Sequence, residues 1–123
     1  MLAQINGFDF TPYIVTSTYE VNSEKEYHQW QDANYNYHKE LKRKRVVGEF
    51  ELKFPSDGNV TYTKFIDALR SAEAGERIDI TLFVANENTI RTISAYYSFN
   101  PVLRKNYAGK KVYDSFAFNL EEY

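Results

Sequence analysis

His28 and His38 are the only imidazoles in a 123-residue chain that contains no cysteine. Disulfides, thiolate metal sites and thiol nucleophiles are therefore excluded. The spacing of the two histidines matches no zinc pattern, and only a carboxylate such as Glu26 or Asp32 could extend them towards a ligand set. They read as two surface histidines of a polar segment. The five glycines, Gly7, Gly48, Gly58, Gly75 and Gly109, stand singly, so no backbone cradle for phosphate is present. Ser17, Ser23, Ser94 and Ser115 lack the strand-turn-helix context that exposes a nucleophile. The carboxylate pairs Glu49/Glu51 and Glu121/Glu122 are spaced as exposed strand or terminal residues. Asp114 interrupts an otherwise apolar alternation. A strand opening or bulge that turns it outward is preferred to a buried functional carboxylate. No catalytic, cofactor-binding or metal-binding residue is assigned, no cofactor is expected, and the chain reads as a non-enzyme.

The aromatic residues carry more information: 11 Tyr, 9 Phe and 1 Trp. Phe50, Phe54, Phe116 and Phe118 fall at inward strand positions and read as core. Tyr27, Trp30, Tyr35 and Tyr37 lie instead in a polar, amide-rich stretch, NSEKEYHQWQDANYNYHKE over 22–40, where neither strand nor helix period is sustained. This segment reads as a long polar loop or hairpin excursion with a short strand near Tyr27–Trp30. Aromatic and amide side chains together suit a protein interface or a carbohydrate surface, because Tyr and Trp offer large contact area and keep a polar end. The competing reading is a loop folded back over the sheet and anchored by Trp30.

Charge is unevenly distributed behind a formal net charge of −2. Residues 1–38 carry Lys25 against Asp9, Glu20, Glu24, Glu26 and Asp32. Residues 39–53 carry Lys39, Lys42, Arg43, Lys44, Arg45 and Lys53 against Glu40, Glu49 and Glu51. A nearly neutral total argues against a general nucleic-acid binder. In the run Lys42, Arg43, Lys44, Arg45, alternate strand positions face opposite ways, so only half could meet one phosphate ligand. The asymmetry suits solvated strand faces, or head-to-tail contact between copies of the chain. Tyr27, Trp30, Tyr35, Tyr37 and Lys42–Arg45 are the candidate interface residues.

The elements that would position these residues are mostly strands. Residues 1–10 predict a short strand and a turn at Asn6-Gly7. Alternation predicts strands over 13–21, with odd positions inward, and over 43–54, with Val46, Gly48, Phe50, Leu52 and Phe54 inward. One helix is predicted over 62–74, capped by Thr61 or Thr63 and closed by Gly75, with Phe65, Ile66, Leu69 and Ala72 as its apolar stripe. A hairpin of 78–85 and 90–99 follows, then a basic turn around Gly109 and a last strand over 112–120. The expected fold is a single mainly β domain over 1–123, an antiparallel β-sandwich or open barrel of six to eight strands with one α-helix. No apolar run reaches membrane-spanning length, and no basic-then-apolar leader is visible, so no signal peptide is expected.

This order of elements is similar to that of small tail-region structural proteins of phages and prophages of Gram-positive bacteria. Its carriers are an INGFD-like opening, a polar loop over Asn22–Lys39, the basic strand LKRKRVVGEFELKF, a short Thr-capped helix, a hairpin and an aromatic final strand. The resemblance is one of architecture, without an invariant motif. It implies a virion structural protein, assembled in the bacterial cytoplasm, whose partners are itself, as a ring or other homo-oligomer, and neighbouring tail proteins. Neither membrane nor specific nucleic acid is an expected partner. The alternative of a different class is a monomeric ligand-binding module, for carbohydrate, using the aromatic surface of 27–37.

Overall fold

The computed structural model describes residues 1–107 and 110–123. Strands β1 (Ala3–Ile5) and β2 (Phe8–Asp9) form a tight hairpin. Its two turn residues, Asn6 and Gly7, have φ of +48° and +81°. That left-handed backbone is what a two-residue turn needs to match strand twist, and Asn-Gly supplies it cheaply. The long strands β3 (Glu20–Gln31) and β4 (Tyr37–Leu52) come next, then helix α1 (Val60–Ala72) and the two-residue β5 (Glu73–Ala74). Strands β6 (Arg77–Val84), β7 (Thr89–Phe99), β8 (Leu103–Tyr107), β9 (Lys110–Tyr113) and β10 (Phe116–Glu122) complete the chain.

One antiparallel sheet runs β2-β1-β6-β7-β10-β4-β3, with β5 paired to β6, and β8 and β9 form a separate two-stranded sheet. The protein is mainly β with one helix, as the alternation implies, and its sheet is not closed into a barrel. The sheet nonetheless curls. The Tyr19 hydroxyl, just before β3, reaches the carbonyl oxygens of Phe83 on β6 and Leu2. Burial pushes that phenol well above its ordinary pKa. Further along β3, the Asn86 side-chain oxygen accepts the Ser23 N–H at 2.8 Å, and its amide nitrogen donates to the Ser23 carbonyl at 2.8 Å. Asn86 thereby stands in for a neighbouring strand at that one point.

The inner face holds the core. Val21, Val46, Phe50, Leu52, Ile78, Ile80, Leu82, Phe118 and Leu120 are buried there. Helix α1 lays Phe65 and Leu69 against them. The Phe65 ring lies edge-on to Phe10 at 5.2 Å and to Phe118 at 5.8 Å. Such edge-to-face packing adds to the gain from apolar burial.

Several local expectations are corrected. Residues 13–21 do not form a continuous strand. Thr11–Tyr13 and Thr16–Thr18 are 3₁₀ turns, and Ile14, an even position, is buried and bridges Leu52. The cause is side-chain competition for the backbone. The Thr18 hydroxyl donates to the Val15 carbonyl at 2.6 Å and accepts the Glu51 N–H at 2.9 Å. Helix α1 is not capped by Thr61 or Thr63. Thr61 lies inside the helix, buried, and its N–H and hydroxyl both donate to the Asp57 carboxylate. That contact holds the Asp57 carboxyl below its usual range. Gly75 does not end the helix but turns β5 into β6 with φ of +68°. Phe54 lies past the end of β4, half-buried against the core. Asp114 separates β9 from β10, exposed, with Arg104 Nε 3.7 Å away, so it is turned outward as preferred. The basic turn expected around Gly109 lies outside the described residues.

Gly48 pairs with Val21 at the core end of the β3–β4 ladder. A Cβ there would stand 2.9 Å from a Val21 methyl. Val21 is fully buried and β-branched, so it cannot swing aside. Gly48→Ala is expected to cost about 1–3 kcal/mol in urea denaturation, as for other overpacked cores. Adding Val21→Ala should recover part of that loss, and strictly additive costs in the double variant would contradict the contact.

Candidate functional site

β10 pairs with β4 from Leu52 to Val47, and the pairing to β4 then stops. At the next position the Glu122 carboxylate, not a strand, accepts the Val46 N–H at 2.8 Å. On the other side of the hairpin the last neighbour of β3 is Asn86 at Ser23. Outward of these two points β3 and β4 have no strand beside them but each other, and only the Arg43 and Arg45 side chains still reach the sheet, at Tyr123 and Glu121. Residues 24–45 thus form a two-stranded arm that projects from the sheet by about 25 Å, at the usual strand rise. Only 32–36 is a turn. Asp32 closes it by accepting the N–H groups of Asn34 at 2.9 Å and Asn36 at 3.0 Å, while Tyr35 takes φ of +65°. Of the two readings of 22–40, the hairpin excursion is the one observed, and most of the segment is strand.

A two-stranded ribbon has little apolar surface to bury and is marginal by itself. Charge pairs and stacked rings supply what holds this one. Near the base, Arg43 Nε donates to Glu26 at 2.9 Å. Arg45 bridges two acids, with Nε 2.9 Å from Glu26 and a second nitrogen against Glu121. The Arg45 Nε approach is out of line for a hydrogen bond, so that contact is charge attraction alone. The Arg43 hydrogen bond, reinforced by its charge, holds the Glu26 carboxyl below its usual range. Between Glu26 and Tyr27 the register slips, leaving Lys42 without an opposite residue, which marks a β-bulge. Past the bulge, Trp30 stacks on His28 at 5.2 Å and across the strands on His38 at 5.1 Å. His38 is also 2.8 Å from Asp32. On the other face Lys39 Nζ sits 3.9 Å over the Tyr27 ring.

All eight sequence candidates fall on this arm: Tyr27, Trp30, Tyr35, Tyr37, Lys42, Arg43, Lys44 and Arg45. Trp30 does not fold back as an anchor over the sheet; it stands near the arm's tip, 40% exposed. Tyr35 and Tyr37 are 80% and 84% exposed. Arg43 and Arg45 face one way and Lys44 the other, as strand alternation requires. Sequence reasoning missed the partners: Glu26 for the arginines, His28 and His38 for Trp30, Asp32 for the turn and Lys39 for Tyr27. Their signal was cross-strand pairing about a turn at 32–36, visible only once the hairpin register is known.

The outer face of the sheet at the arm's base holds a shallow depression of about 520 Å³, bordered by Glu20, Asn22, Glu24, Glu49, Tyr96 and Ser98 among others. Among the described residues no three His, Asp or Glu side chains converge as a metal site. Among them, too, no helix is long and apolar enough to cross a membrane. Compared with known protein families and with curated proteins, the chain matches none.

Asp32 is held below the usual carboxylate range by His38 chiefly and by the Asn36 N–H. A carboxyl depressed in the folded state stabilises above its ordinary pKa and ceases to as pH falls below it. The arm tip should therefore loosen below about pH 4. Trp30 emission, the only tryptophan signal, should report a transition there that Asp32→Asn removes; an identical acid profile in that variant would contradict the assignment.

Proposed function

We propose that this protein is a non-enzymatic structural protein that works through subunit–subunit contacts, in the tail of a phage or prophage of Gram-positive bacteria, with itself and neighbouring tail proteins as partners. One observation carries the assembly part of this reading. The arm over 24–45 extends away from the core, keeps Tyr35, Tyr37 and Trp30 at its end, and has no strand paired along either edge. Tyr35 and Tyr37 stack on no other ring among the described residues and contribute little to the stability of a single chain, and Tyr and Trp are the residues enriched at interface centres. The tail assignment rests on the resemblance in element order.

Ligand binding by the same aromatics is the weaker reading. Trp30 already stacks on His28 and His38, which occupies ring surface that a sugar would need.

Sedimentation velocity over a concentration series tests the assembly reading. The full chain should pass from monomer to larger species. A variant in which 25–44 are replaced by Asn-Gly keeps the Glu24–Arg45 pairing and should remain folded by circular dichroism yet monomeric. A full chain that stays monomeric at every concentration, alone and with neighbouring tail proteins, would overturn the proposal.

A further inference from the structure

The β3–β4 hairpin contains two like-charged pairs of opposite sign. Glu20 stands directly across from Glu49, and Lys25 directly across from Lys44. Like charges in directly opposed positions repel. Among the described residues none of the four has an ion-pair partner, although Arg43, Arg45, Glu26 and Glu121 nearby are all paired. The two pairs also point in opposite directions. On β3, positions 20 and 25 differ in parity, as do 44 and 49 on β4, and the bulge lies outward of both pairs. The acidic pair faces the depression on the outer side of the sheet, where Glu24 adds a third carboxylate. The lysine pair faces the inner side, on the projecting arm.

From this geometry we propose that the lysine face of one copy's arm docks on the acidic outer face of a second copy, head to tail. The inference rests on the assembly reading and names the partner surface. Each patch is repulsive within one chain, and each is the other's counter-charge. Lys25 and Lys44 form the first pair outward of Glu24 and Arg45, where no strand flanks either edge of the hairpin, so a neighbouring copy can approach them. Patches that face opposite ways cannot both be satisfied by one partner related by a two-fold axis. The contact is therefore heterologous and builds a ring or a filament, not a closed dimer.

Charge reversal tests it, read by sedimentation velocity and native mass spectrometry. Lys25→Glu with Lys44→Glu, and separately Glu20→Lys with Glu49→Lys, should each raise the apparent dissociation constant about tenfold or more, since each sets like charges face to face. Mixing the two variants, or combining all four reversals in one chain, should restore assembly. The milder Lys25→Gln with Lys44→Gln keeps the test valid if a reversal impairs folding, and should weaken assembly in the same direction. Raising salt should weaken the wild-type assembly as well. A wild type that assembles but ignores the reversals, or that stops at a dimer, would overturn this inference and leave the assembly reading standing. A wild type that is monomeric throughout would overturn both.

Discussion

β4 runs unbroken for 16 residues, and its period-two alternation has to serve two environments at once. From Val46 to Leu52 every second side chain enters the core, and Gly48 gives up its side chain so that Val21 can close against the backbone. From Tyr37 to Arg45 the same alternation has no core to meet, and it sorts cations and rings onto two wet faces. A register slip of one residue would expose Phe50 and bury Glu49 and Glu51. The core half therefore fixes which arm residues face which way, and the placement of Trp30 against His38 follows from packing far from the tip. The bulge opposite Glu26 is the only relaxation in that relay.

The arm and the sheet are held by different physics. The sheet buries large apolar side chains around Phe50, Phe65 and Phe118, which is insensitive to salt and to mild acid. The arm depends on exposed ion pairs and stacked rings, which solvent screening leaves individually weak. Such an element sits at the low end of a protein's local stability range. Its low internal stability and its exposed aromatic end have the same origin, namely the absence of a covering layer.

Most of the sheet was legible in the sequence, because β4, β6, β7 and β10 each bury one face and show it as alternation. What escaped was governed by interactions that alternation does not encode. The Thr18 hydroxyl bent 13–21 into 3₁₀ turns although Tyr13, Val15, Tyr19 and Val21 carry a strand pattern. The Asp57 carboxylate took the capping role that Thr61 or Thr63 was expected to fill. Residues 22–40 showed no apolar period for the plain reason that a strand wet on both faces has none. Their aromatics and the neighbouring basic run were recognisable as interface candidates from composition. Their common placement on one arm, and the opposed like charges at Glu20/Glu49 and Lys25/Lys44, required the register.

The Asn86 amide has a consequence for how the sheet ends. By occupying both backbone groups of Ser23, it removes from β3 the one stretch of edge that lies flush with the folded body. A foreign strand can no longer zip along β3 from the base, so the exposed edge is confined to the projecting ribbon, which the bulge twists. A single side-chain amide thus closes the edge of β3 at the boundary between the folded body and the projecting ribbon.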